Sequence, residues 1–222
     1  MKRFLHIAVA LLLTTTICAQ AQTTKELWES GNKAYFDENY QKAVQDYETI
    51  RALGHESDDL YLNLGNAYFK RGMIGKALLN YNRALRFSPS DEDVLYNITI
   101  ANKYVQDKID VMPTFFLHRW MNELRSSMTS NAWAGLSLVF FTAMLIAGLV
   151  YLLTSTLKWR KIGFYGALSL LVLFVISAWF AGSQRKILLN PDKAIVMSSA
   201  APVKSSPDPS SKDLFVLHEG TK

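Results

Sequence analysis

The chain has 222 residues, room for one modest folded domain and a pair of membrane segments. Its formal charge is +5; without Lys2 and Arg3, expected to be removed with an export signal, 22 basic residues face 19 acidic, or +3. No basic stripe interleaved with aromatics appears, which excludes a nucleic-acid surface, and the single cysteine, Cys18, excludes an intramolecular disulfide and a cysteine-built zinc site.

Residues 1–21 read as a secretory signal peptide. Lys2 and Arg3 form a positive start, Phe4 to Leu13 an apolar stretch, and Ala19-Gln20-Ala21 a small-x-small cleavage site. An uncleaved anchor is the other reading, but the apolar stretch falls short of the about 20 residues a span needs. Cleavage after Ala21 would leave no cysteine, as suits an oxidising compartment.

A repeat follows. Shifting the sequence by 34 residues pairs Gly31 with Gly65, Asn32 with Asn66, Lys42 with Lys76, Ala43 with Ala77 and Tyr47 with Tyr81. The second copy also carries Tyr61, Leu64, Tyr68, Ala84 and Pro89, and the first departs at Ser30 and Ile50. Period and pattern resemble the tetratricopeptide repeat family, whose units are helix hairpins. The expected fold class is therefore all-α, with repeats at about 24–57 and 58–91 and a capping helix at 91–106 within a domain 24–108. Small residues at Gly31, Gly65, Ala43 and Ala77 let paired helices approach, and Tyr47, Leu64, Tyr68 and Tyr81 fill the space between them. Gly72 falls at a turn. Ser57 is expected to cap a helix start, and Ser90 with Asp93 forms a weaker capping-box-like start.

The resemblance implies a concave groove lined by the first helix of each hairpin. Trp28, Asn32, Tyr35, Leu62, Asn66, Phe69, Lys70 and Tyr96 are expected to face it, with Asn63 and Asn97 nearby. Asparagine amides there could hold an extended peptide backbone, and aromatics could anchor side chains. Asn32 and Asn63 match two positions of the family's carboxylate clamp, but Trp28, Asp93 and Asn97 stand where the clamp has basic residues. The plainer reading is that these residues only pack or solvate the hairpins.

Residues 113–128 place Phe116, Leu117, Trp120, Met121 and Leu124 on one helix face. The expected reading is an amphipathic interfacial helix lying on the outer leaflet; a helix packed beneath the repeats is the alternative. Residues 132–154 and 162–181 are expected to span a membrane, because Ala132 to Leu153 and Ile162 to Ala181 carry no charge. The loop 155–161 holds Lys158, Arg160 and Lys161, and the positive-inside rule places it in the cytoplasm. The repeats and the C-terminus then lie outside, on the periplasmic side of the inner membrane. Arg185 and Lys186, beyond the second span, run against that rule. Neither span holds an Asp, Glu, Lys, Arg or His, which counts against a pump or transporter.

Residues 190–222 resemble the opening of a bacterial Src-homology-3-like β-barrel and stop where the next strand is due. Half a barrel cannot bury a core. The expectation is a truncated domain with a poorly ordered tail. The whole order, from signal through Asp107 to Phe116 to this start, resembles the BatE family, the repeat proteins of the Bat (Bacteroides aerotolerance) operon of Bacteroidota-type bacteria. That resemblance implies partners among other Bat membrane proteins carrying von Willebrand A domains, alongside a MoxR-type ATPase. The expected function is a non-catalytic, membrane-anchored scaffold with protein partners and the lipid bilayer, and with no cofactor, metal or catalytic residue. His55, His118 and His218 lack ligand spacing. Two alternatives stay open: an envelope sensor binding cell-wall glycan or peptide through the C-terminal barrel, and an accessory subunit of a membrane enzyme or transporter.

Overall fold

The computed structural model describes residues 23–108, 115–189, 194–208 and 210–222. Residues 1–22, where an export signal is expected and Cys18 lies, and the segments 109–114 and 190–193 that include Pro113 and Asn190, lie outside the described residues. The described chain is mostly helical and falls into two compact units. One holds the residues up to Ala84, Asp93–Lys108 and Ile195–Lys222; the other holds Leu85–Glu92 and the later residues up to Ala194.

The first unit is built from helix hairpins. Residues 23–36 form α1, Tyr40–Ala52 α2, Asp58–Lys70 α3, Ile74–Phe87 α4 and Glu92–Asn102 α5. Local chemistry sets the boundaries. Ser57 accepts from the Leu60 amide at 3.1 Å, with Asp58 and Asp59 in the positive first turn of α3. Asn39 caps α2 by accepting from the Lys42 amide. Gly72 turns α3 into α4 at φ +74°, a region L side chains rarely enter. Ser90 does not cap α5: the helix begins at Glu92, and the Ser90 hydroxyl turns instead to the Ser127 carbonyl. The last helix is also shorter than 91–106, ending at Asn102 before a turn that buries Val105.

Tyr47, Tyr81, Leu60, Leu64 and Val94 are the largest fully buried side chains of this unit. Burying an aliphatic side chain of this kind contributes roughly 1.5–3 kcal/mol. The glycines opposite the tyrosines are required by space. A Cβ on Gly31 would lie 2.7 Å from Tyr47 Cε1, and one on Gly65 would lie 2.5 Å from Tyr81 Cε1. At Ser30, where the first copy departs from the family pattern, two polar side chains meet. Ser30 donates to the buried Asp46 at 2.7 Å, and Lys42 holds the same carboxylate at 2.9 Å. The equivalents 34 residues on are Leu64 and Asn80.

The C-terminal residues, expected to be poorly ordered, instead fold onto the repeats. Ala200–Lys204 (β1) and Asp213–His218 (β2) form a two-stranded antiparallel sheet, pairing Ala200 with His218. Beyond it, Asp107 accepts from the His218 amide at 2.6 Å, His218 Nδ1 at 2.8 Å and the Thr221 hydroxyl at 2.7 Å. Glu219 accepts from the Gly75 amide at 3.0 Å, placing a carboxylate at the positive start of α4. Gly220 sits at φ +89° against Val105 and Leu78. An isolated hairpin is marginal in water, and these contacts supply what it lacks.

The second unit contains α6 (Phe116–Ser126), α7 (Ser130–Leu153) and α8 (Leu157–Leu189). Both α7 and α8 are long and apolar enough to cross a membrane. Their bounds differ from the sequence expectation. α8 begins at Leu157 and runs to Leu189, so the connection shrinks to residues 154–156 and the helix continues well past Ala181. Lys158, Arg160 and Lys161 therefore stand in its first turns, with Arg160 5.3 Å from the Tyr151 ring. Gly163 permits the closest approach, since a Cβ there would meet the Ala147 carbonyl at 2.8 Å. The Ser177 hydroxyl is satisfied within its own helix, by the Leu173 and Phe174 carbonyls.

A candidate partner-binding face on the repeat hairpins

The residues expected to line the groove divide into two sets. One set holds the hairpins together. The Tyr47 hydroxyl donates to Asn32 Oδ1 at 2.7 Å, and the Asn63 amide donates to the same oxygen at 3.4 Å. The arrangement recurs 34 residues on, where Tyr81 donates to Asn66 Oδ1 at 2.9 Å and Asn97 to that oxygen at 3.1 Å. Each clasp joins both helices of one hairpin to the first helix of the next. Trp28 also belongs to this set, half-buried with its ring 5.6 Å from that of Tyr47. The clasps leave the Asn32 and Asn66 amide N–H groups without a partner among the described residues. A peptide carbonyl could take them.

Burial pushes the Tyr47 hydroxyl up to about 12, with Tyr35 and Asp46 adding to it. The Tyr81 hydroxyl is also pushed up by burial. These groups are neutral donors at any physiological pH. Tyr68 and Tyr61 are likewise raised to about 12, by burial first and then by hydrogen bonds to Glu48 and Glu56. The remaining packing residues, Ala43, Leu64, Ala77 and Ala84, are buried, while Pro89 is half-buried after α4.

The second set is open to solvent. Lys70 and Tyr96 are exposed; Tyr35, Leu62 and Phe69 are half-buried. Tyr35 lies edge-on to Tyr40 at 5.4 Å, and Phe69 edge-on to Tyr104 at 5.5 Å. Two members of this set were absent from the sequence expectation. Phe36 is 87% exposed and Tyr104 67% exposed. Both stand one 34-residue step from Lys70, so the repeat register carried the signal. Lys103 holds the same relation to Phe69. Neither the Lys70 nor the Lys103 ammonium has an acidic partner among the described residues. Exposed aromatics beside unpaired cations can anchor a protein segment, and nothing in the arrangement offers a nucleophile with a base. Among the described residues, no three His, Cys, Asp or Glu side chains gather as a metal site requires.

Comparison with known proteins locates a TPR repeat at residues 65–103, from the middle of α3 through α5. Tetratricopeptide repeat protein 6 of Homo sapiens is 36% identical over 62 residues, 28% of this chain. The chain spans only 12% of that protein's length. No solved structure matches.

Proposed function

We propose that the chain is a non-catalytic scaffold that binds protein partners through its repeat hairpins and is held to a membrane by α7 and α8. A TPR repeat implies protein partners, and the two long apolar helices fit membrane association. The observation that carries the reading is the open set on α1, α3, α5 and the turn that follows α5. Phe36, Lys70 and Tyr104 occupy one register position in successive repeats and stay exposed, while clasped amides fix the helices behind them. Keeping large aromatics in water stabilises no fold, whereas a partner that covers them gains their burial.

The finer reading follows from the resemblance of the whole arrangement to the BatE family. Residues 1–21 export the chain, and Lys158, Arg160 and Lys161 keep the α7–α8 connection in the cytoplasm. The repeat hairpins and the C-terminal hairpin then work on the periplasmic side of the inner membrane. The partners are other Bat membrane proteins with von Willebrand A domains.

Affinity capture of the full-length chain from solubilised membranes tests this. It should recover a von Willebrand A protein, and a Phe36→Ala, Phe69→Ala, Tyr104→Ala triple variant should lose it. Capture must be read beside hydrogen exchange in α2 and α4, which these surface changes should leave unaltered. Equal recovery by the triple variant would remove the groove from the account. Recovery of no such protein by either chain would remove the scaffold reading.

A further inference from the structure

Helix α6 is oriented opposite to an ordinary surface helix. At about 3.6 residues per turn, Phe116, Trp120, Leu124, Leu117 and Met121 fall on one arc of about 140°, and Arg125, His118, Asn122, Ser126, Arg119 and Glu123 fill the rest. A water-soluble unit would turn the first arc inward. Here no residue of α6 is buried, and the half-buried ones are Met121, Asn122, Arg125 and Ser126, centred on the polar side. Phe116 is 66% exposed and Trp120 55% exposed, with Leu117 and Leu124 also exposed.

The orientation is held by specific bonds at the end of the helix. The Arg125 carbonyl accepts from the Trp133 indole at 3.0 Å and from the Gln184 amide at 2.8 Å. The Arg125 guanidinium donates to the Ser183 hydroxyl at 3.1 Å, and the Ser130 hydroxyl to the Ala181 carbonyl at 3.0 Å. Gln184 is itself buried, and the Trp133 ring lies 4.9 Å from Phe180. The Arg125 contacts tie the polar side of α6 to the start of α7 and the late turns of α8, which the Ser130 bond holds together. The apolar arc is thereby directed away from both helices.

We propose that this arc rests in lipid, so that α6 is a foot lying in the interface of the leaflet where α7 begins. Three observations favour lipid over a protein partner. The arc continues the lipid-suited surfaces of α7 and α8, whose Leu138, Val139, Val175 and Trp179 are also exposed. It carries aliphatic and aromatic groups with no buried polar atom to pair. Arg119 flanks it, placed to reach headgroup phosphates. The inference rests on the membrane reading of α7 and α8.

A dye probe separates the two. In full-length chain with Cys18→Ser, single cysteines at Leu117, Arg119 or Leu171 carry an environment-sensitive fluorophore. The protein is placed in nanodiscs of phosphatidylcholine and phosphatidylglycerol. The Leu117 dye should shift to the blue and be quenched more by lipids spin-labelled near the headgroup than by lipids labelled at the chain end. The Arg119 dye should remain water-like, and the Leu171 dye should be quenched most by chain-end labels. Phe116→Cys gives a second site on the same arc. A Leu117 dye that no lipid label quenches, beside a quenched Leu171 dye, overturns the foot and leaves the membrane reading standing. A blue-shifted Leu117 dye that lipid labels do not reach also overturns it, assigning the arc to protein. An unquenched Leu171 dye overturns the membrane reading, and the foot with it.

Discussion

Gly65→Ala should destabilise the repeats, although alanine is the better helix former. In a helix interior the change alone favours folding by about 1 kcal/mol. Against that, the new Cβ would lie 2.5 Å from Cε1 and 2.6 Å from Cδ1 of Tyr81. Carbon contacts settle near 3.5–4.0 Å, so the ring would have to move by about 1 Å. It has little room: Tyr81 is 2% exposed, and its hydroxyl is fixed on Asn66 at 2.9 Å. Overpacking of this kind costs about 1–3 kcal/mol, leaving a net loss of up to about 2 kcal/mol. Hydrogen exchange of the α3 and α4 amides, in the full chain in detergent, reads this as roughly tenfold lower protection per 1.4 kcal/mol. The decisive arm is a Tyr81→Leu background, where the clash is gone and only the propensity gain remains. There Gly65→Ala should raise protection. Equal loss in both backgrounds, or a gain in the unmodified chain, would rule out the clash with Tyr81.

Other predictions concern the clasps, the polar pair and the tail. Tyr81→Phe removes one donor to Asn66 and should lower α4 protection by about 1 kcal/mol, with Tyr47→Phe doing the same in the first hairpin. Ser30→Leu alone strips a partner from the buried Asp46 and should destabilise. Adding Asp46→Asn, which copies the Leu64 and Asn80 pair, should recover much of the loss in thermal melts. Hydrogen bonds from His218 and Thr221 hold the Asp107 carboxyl down at about 2, below its ordinary 3.8. A depressed carboxyl stabilises the docked tail fully above the ordinary value, and that contribution is lost as pH falls from near 4 toward 2. Proteolysis of the hairpin should rise over that window, and Asp107→Asn should expose it at neutral pH. The raised hydroxyls of Tyr47, Tyr61 and Tyr68 work the other way. Their contribution is present below pH 10 and lost as pH climbs from 10 through 12, so phenolate absorbance should appear together with unfolding.

The repeat was legible because its signal is periodic. Gly31 with Tyr47, and Gly65 with Tyr81, must recur together, since each tyrosine fills the space its glycine leaves. The same register contains Phe36 and Tyr104, but neither matches a packing position of the family, so only comparison with Lys70 could find them. The asparagines show where composition stops informing. Asn32 is expected to offer its amide to a ligand, and its carbonyl oxygen accepts from Tyr47 and Asn63 while its N–H groups stay open among the described residues. Either role needs the same residue type. The tail was illegible for a different reason. Its docking joins Asp107 to His218 and Gly75 to Glu219, partners 111 and 144 residues apart. No local pattern encodes such pairs. The start of α8 is hidden in the sequence because Lys158, Arg160 and Lys161 resemble a loop, although basic residues are tolerated in a helix that extends beyond the apolar span.

The central claim is that the open aromatic set meets a partner. A photoreactive phenylalanine at Phe36 or Tyr104, introduced into the full chain in living cells, tests it directly. Light should form a crosslink to a partner protein from both positions, and none from the same residue at Thr49, on the solvent side of α2. Crosslinks from Thr49 but not from Phe36 or Tyr104 would contradict it.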